Sequence, residues 1–158
     1  MAKARKTWRE KLDDSKDLPK TVQITGAMRR NWGEGSCLIP APKDVDAVMR
    51  KVPAKRVATV NELRGALANA AGATMACPLT TGIFAWIAAN AAYEAEEAGK
   101  TRVTPWWRTL KAKGELNPKF PGGVAEQMVR LEAEGHRVVT KGKRVFVEGY
   151  EQRLWRGQ

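Results

Sequence analysis

Residues 59–90, TVNELRGALANAAGATMACPLTTGIFAWIAAN, decide the fold. Thr59 followed three positions later by Glu62 is a capping box: the hydroxyl accepts from an amide of the first turn while the carboxylate reaches back to the cap amide, which starts a helix. Leu63, Ala66 and Leu67 then recur at helical spacing through Asn69, and the small residues 70–73 close the run. Pro78 opens a second helix, since its fixed φ and missing donor suit a first turn, and the Thr80 and Thr81 hydroxyls stand where they would cap amides. This helix runs to Gly99, with Ile83, Phe84, Ile87 and Ala91 inward and Thr81, Ala85 and Ala88 on an outward face of small residues. Two helices joined by a short turn, the second presenting small residues at its start, outline a helix-turn-helix. Many helical bundles contain such a pair, so the outline depends on its flanks.

Upstream, Val45, Val48, Met49 and Val52 recur at three- and four-residue steps from Pro42 until Pro53 stops them, which predicts another helix. Residues 26–42 gather Gly, Pro, Asn and Ser around Trp32 and read as irregular chain with room for one short strand. Trp8 and Leu12 offer a short apolar stripe on a helix near the start. Downstream of the pair comes a basic linker, KTRVTPWWRTLKAKGELNPKFPGG, then a helix over 124–134 with Met128 and Leu131 inward and Gly135 at its end. Two β-rich runs around Lys-Gly-Lys in RVVTKGKRVFVEGY read as a hairpin. The expectation is therefore a mainly α chain with a small β-hairpin, a winged-helix-like helix-turn-helix domain over 42–158 behind a basic, partly irregular N-terminal extension, 1–41.

A chain of 158 residues suits one domain with a core of its own. Its 28 Lys and Arg against 17 Asp and Glu give a net charge of +11, which favours polyanionic partners, nucleic acid first. No run approaches the ~18 apolar residues of a membrane helix. The start lacks the apolar core of a secretory signal, so a cytosolic, membrane-free monomer is expected. Cys37 and Cys77 have no paired metal-ligand spacing and His136 is the only histidine, so neither a metal, a cofactor nor a disulfide framework is expected.

Over residues 42–139 the chain resembles the C-terminal domain of O6-alkylguanine-DNA alkyltransferases and the related alkyltransferase-like proteins. The residues that carry the resemblance are VPAKRVATVNEL (52–63), GIFAWIAAN (82–90), then TPWWR (104–108), PGG (121–123) and LEAEGHRV (131–138), in the family's order. Pro105 and Arg108 match the ends of its Pro-Cys-His-Arg motif, with Trp106 where the acceptor cysteine stands and Trp107 where its histidine stands. Glu134 keeps the glutamate position, and Asn90 matches the asparagine that ends the recognition helix. The resemblance implies double-stranded DNA, alkylated or not, as partner, and repair machinery as a second partner. It also implies no alkyl transfer, because an indole offers no thiolate. Departures fall at Trp107, at Thr81 for an arginine that fills the gap left by a flipped base, at Val60 for a base-contacting tyrosine, at Pro121 for a donor in the lesion loop, and in a longer linker before Pro105.

By this resemblance Trp106, Trp107, Pro105, Phe120, Pro121, Gly122, Gly123 and Val60 would surround a base pocket, with Trp106 and Trp107 either stacking on a base or filling the space themselves. Thr80, Thr81, Ala85, Ala88 and Asn90 would approach the groove, or else meet the N-terminal segment. Lys100, Arg102, Lys111 and Lys113, with Lys141, Lys143 and Arg144, would contact phosphates. Arg108 reads as a clamp on a backbone carbonyl, with Glu134 tying down the same loop, and His136 as a residue after a helix end. Two other functions compete: a winged-helix regulator or nucleoid-type binder without lesion specificity, and an alkyl acceptor that uses Cys77 at a helix start.

Overall fold

The computed structural model describes residues 5–157. Helix α4, Val60–Ala71, starts at the Thr59 cap: Glu62 Oε1 lies 2.7 Å from both the amide and the hydroxyl of Thr59, and the Asn61 amide donates to that hydroxyl at 3.2 Å. Gly72 ends it at φ 68°, a left-handed position that costs a residue without Cβ nothing. Helix α5, Pro78–Glu97, begins at its proline. The two threonines behave differently from expectation. The Thr81 hydroxyl donates back to the Cys77 carbonyl at 2.7 Å and the Thr80 hydroxyl to the Cys77 sulfur at 3.2 Å, so neither caps an amide. Thr81 already lies inside the helix, where back-bonding to the i−4 carbonyl is the nearest option.

Before this pair come α1 (Trp8–Asp13), β1 (Lys20–Gln23), α2 (Met28–Trp32), β2 (Ser36–Ile39), α3 (Pro42–Arg50) and β3 (Ala58–Thr59). Strand β4 (Met75–Ala76) lies between α4 and α5; after them come β5 (Thr109–Leu110), α6 (Gly123–Ala133) and a hairpin of β6 (Val138–Lys141) and β7 (Arg144–Val147). The hairpin turns at Gly142, φ 63°, with Lys141 opposite Arg144. Strand β2 is central to a sheet of order β1-β2-β4, antiparallel to β1 and parallel to β4, and β3 pairs in parallel with β5. The architecture is thus mixed α/β, which corrects the expectation of a mainly α chain with one hairpin. Strands of two to four residues are too short to display a period-two pattern, and their partners are distant in sequence.

The N-terminal segment contributes side chains to the main core. Leu12 and Leu38 are buried in one cluster with Val45, Met49, Val52, Leu63 and Leu67. The Glu94 carboxylate accepts from the Trp8 and Arg9 amides at 3.1 and 3.2 Å, and Trp8 meets Trp86 edge-on at 4.8 Å, which binds α1 to α5. Residues 1–4 of the expected extension lie outside the described residues. A smaller cluster of Val57, Leu110, Leu116, Leu131 and Val147 lies under the hairpin, with Trp107 against both clusters.

Helix α5 buries Ala91 as expected, but it also buries the small-residue face that was expected to point outward. Thr81, Ala85 and Ala88 are buried with Ala89, Ala91 and Ala92, whereas Ile83 is 45% exposed and Phe84 and Ile87 are half-buried. The helix packs against α3, α1 and α4 at once. Helix axes approach as closely as the residues between them permit, so the small side chains took the closest contacts, Phe84 and Ile87 pack partly against the core, and Leu79 and Ile83 are turned outward. Among the described residues no helix is long and apolar enough to cross a membrane. Replacing Thr59→Ala removes the α4 cap and is expected to lower stability by about 1 kcal/mol, seen as a lower urea midpoint at unchanged slope.

Candidate nucleic-acid interface

The stretch TPWWR folds as a single 3₁₀ turn, Trp106–Arg108, behind Pro105. It is tied down at both ends. Upstream, the buried Thr104 hydroxyl donates to Asp46 of α3 at 2.6 Å, and Asp46 also pairs with Arg50 at 3.1 Å. Downstream, Arg108 donates through Nε and Nη2 to both Glu134 oxygens at 2.6 to 3.1 Å, and through Nη1 to the Val52 carbonyl at 2.8 Å. Arg108 therefore joins the turn, the end of α6 and the chain leaving α3, while β5 continues from it to pair with β3 at the start of α4.

This largely buried ion pair sets the local electrostatics. Burial alone would push the Glu134 carboxyl up, but the hydrogen bonds and charge of Arg108 hold it below its ordinary 4.5. His136, two residues on, is buried with Nε2 lacking a hydrogen-bond partner among the described residues. Its burial, helped by the Arg153 charge, moves it below the ordinary 6.5.

Trp106 is fully buried. Its ring meets Trp107 and Phe120 edge-on at 6.0 Å each and Tyr93 at 6.4 Å. The Arg130 guanidinium lies 5.0 Å from the ring centres of both tryptophans and is itself held by Glu96 and Glu126 at 2.9 Å. Phe120 and Pro121 are buried as well. Of the two readings of Trp106, lining an opening or filling the space, the packing follows the second, since three aromatic rings and a guanidinium close around it. Trp107 and Val60 are half-buried. The Trp106 indole N–H has no acceptor among the described residues.

The loop before α6 shapes the other wall. Gly122 takes φ 73°, and a Cβ there would come 2.5 Å from Glu126 Cβ, so the position admits only glycine; Gly123 follows at φ 69°. Gln127, fully buried on α6, donates to the Trp107 and Thr109 carbonyls at 3.1 and 3.0 Å and accepts from the Asn117 amide at 3.0 Å. Gln127 and Arg130 went unnoticed in the sequence. Both sit on a helix whose polar residues read as a solvated face; the Glu126–Arg130 spacing was the one visible sign that this arginine is held.

Residues expected to face DNA are scattered. Thr81, Ala85 and Ala88 are buried, which removes them from any surface, Thr80 is half-buried, and the Asn90 side chain donates to the Trp86 carbonyl at 2.9 Å. Lys100 and Arg102 are exposed at the end of α5 near Arg9 and Arg50. Lys111 and Arg144 both pair with Glu115 on the hairpin side, Lys113 and Lys143 are exposed, and Lys141 lies 5.7 Å from the Phe146 ring. The exposed large apolar residues of α5 are instead Leu79, 71% exposed, and Ile83. Arg64 Nε donates to the Ala76 carbonyl at 2.8 Å, and the Lys119 carbonyl accepts from Trp86 Nε1 at 3.0 Å. Cys37 is buried, which raises its thiol; Cys77 is half-buried at the helix cap. Among the described residues no three His, Cys, Asp or Glu converge as a metal site.

No family model and no curated protein matches the chain. Two solved structures are similar to it. One is S. pombe Atl1 in complex with damaged DNA containing O6-carboxymethylguanine, 18% identical over 72% of this chain and 93% of that one, with a TM-score of 0.48. The other is S. pombe ATL in complex with DNA, 21% identical over 72% and 91% of the two chains, with a TM-score of 0.44.

Replacing Arg108→Met strands the Glu134 carboxylate in a largely buried position and is expected to cost about 3 kcal/mol in urea unfolding. His136 and Glu134 both have folded-state values below their ordinary ones, so the unfolded chain takes up each proton first and stability falls with acid. The contribution of His136 is complete above its ordinary 6.5 and is lost as the pH drops below it; that of Glu134 follows below 4.5. A His136→Leu variant is expected to show a flatter melting temperature between neutral pH and the carboxylate range than the parent chain.

Proposed function

We propose that the chain is a non-catalytic, duplex-DNA-binding protein of the alkyltransferase-like type, acting as a cytosolic monomer with the helix pair and hairpin in a winged-helix arrangement. The observation that carries the non-catalytic part is Trp106, fully buried at the position where the resemblance places the acceptor sulfur. An indole there supplies no lone pair for alkyl transfer, and the ring occupies the volume a reacting group would need. DNA binding draws on the net charge of +11. Exposed lysines such as Lys100 and Lys113 add phosphate contacts that position the protein without reading sequence.

A second reading, recognition of O6-alkylguanine with recruitment of repair proteins, is favoured by one feature. The Trp106 indole N–H is buried without an acceptor, an unsatisfied donor that an entering base edge would engage. This requires Trp106 and the Arg130 guanidinium to yield their place to the base. Duplex binding without lesion preference, as in a regulator or nucleoid protein, requires no such movement. Cys77 as an acceptor is a third reading, which its position at the α5 cap leaves accessible to a direct test.

Fluorescence anisotropy with matched duplexes holding guanine or O6-methylguanine tests these readings. Binding to both duplexes is expected, with affinity falling linearly against log salt at about 0.9 per phosphate neutralised. Intact-protein mass after incubation with the alkylated duplex is expected to stay unchanged; a gain of one alkyl group would overturn the non-catalytic reading and implicate Cys77. A clear preference for the modified duplex would establish the second reading.

A further inference from the structure

Where α1, α3 and the end of α5 meet, the surface opens into a groove of about 240 Å³. Its floor is apolar, made by Ala88, Ala91, Ala92 and Ala95 of α5 with Leu12 from α1 and Val103 from the chain beyond α5. The short side chains that admit close helix contacts also leave this recess unfilled. The rim is charged: Arg9, Arg50, Lys100 and Arg102 stand around it, all exposed. Its two carboxylates already have partners within the protein. Asp46 accepts from the Thr104 hydroxyl at 2.6 Å and from Arg50 at 3.1 Å, and Glu94 accepts from the Trp8 and Arg9 amides at 3.1 and 3.2 Å. Arg9 pairs with Asp13 at 3.3 Å, while Lys100 and Arg102 make no ion pair among the described residues.

This shape and charge select among occupants. The volume lies below the roughly 300–1,000 Å³ of sites for drug-sized ligands and cofactors, and suits one large side chain. An alanine floor offers no donor to a phosphate, so a nucleic-acid backbone gains nothing by entering. A recess also cannot insert into a bilayer, which is entered by protruding apolar side chains. A second copy of a chain with net charge +11 would set like charges together. The complement of an apolar floor inside a cationic rim is an apolar side chain flanked by carboxylates.

We propose that this groove docks an acidic peptide segment of a partner protein, with one large aliphatic residue seated on the alanine floor and flanking Asp or Glu side chains paired with Arg50 and Arg102. Burial of the seated residue supplies the affinity, and the rim charges select the partner and speed its approach. Guanidinium groups at the mouth suit this task, since their paired donors match a carboxylate. The docking site is independent of duplex binding, so either stands if the other fails.

The test uses the full chain without DNA and a short labelled peptide of glycine and serine whose central leucine is flanked on each side by aspartate and glutamate. Fluorescence anisotropy is expected to show saturable binding that weakens with salt. Exchanging the peptide leucine for alanine is expected to weaken binding about tenfold, and exchanging its acids for lysine to abolish it. In the protein, Ala95→Phe fills the floor from a half-buried position and is expected to lose the peptide while keeping its circular dichroism and its duplex binding. Arg102→Glu, at an exposed position that leaves the fold intact, is expected to weaken the acidic peptide about tenfold. No saturable binding at low salt, equal binding of the leucine and alanine peptides, or an Ala95→Phe protein that folds and binds like the parent would each overturn the proposal. So would two reassignments: co-sedimentation with phosphatidylserine vesicles that is lost in Ala95→Phe would give the groove to lipid, and displacement of the peptide by duplex, with a lower salt slope for Arg102→Glu, would give the rim to phosphates.

Discussion

The Arg108–Glu134 pair, with its third bond to the Val52 carbonyl, is the interaction on which the arrangement of the site depends. It joins three stretches separated by 26 and 56 residues of sequence, and it does so with a planar fork whose donors are matched by fixed acceptors. With this turn held, β5 is delivered to β3, and α4 starts where β3 ends. Gln127 then has two carbonyls to satisfy, and Trp106 has no way to point except into the core. Removing the guanidinium would leave a carboxylate without its partner and a turn without its anchor, which is why this pair matters more than the surface ion pairs of α1, where exposure weakens the attraction.

The same clamp gives the chemistry its character. The turn held by this clamp positions the Trp106 indole, and the aromatic rings of Tyr93, Trp107 and Phe120 close around it. Arg130 lies against two tryptophan rings and between two carboxylates, so its charge is neutralised locally rather than offered to a ligand.

Face reversal in α5 shows how local pattern and tertiary packing can disagree. The sequence offers branched residues on one side and small ones on the other, and the usual expectation puts the larger apolar side chains inward. A helix touching α1, α3 and α4 at once is crowded, and alanine is then the better core residue because it lets three neighbours approach. Leu79 and Ile83 were left outside, while Ile87 packs partly against the core.

The chain's own residues determined the capped start of α4, the proline start of α5, the inward valines of α3, the helix before Gly135 and the hairpin at Gly142, because each is set by neighbours within a few positions. They also suggested Arg108 as a holder of a backbone carbonyl, which it is at Val52. Only the tertiary structure decided that Trp106 fills its space, that α5 turns its alanines inward, that two-residue strands β3 and β5 pair, and that Leu12 and Leu38 join the main core. These outcomes depend on which distant surfaces compete for the same volume. Burial and strand pairing between remote segments leave no periodic trace in either segment alone, whereas a cap or a turn is written in adjacent residues.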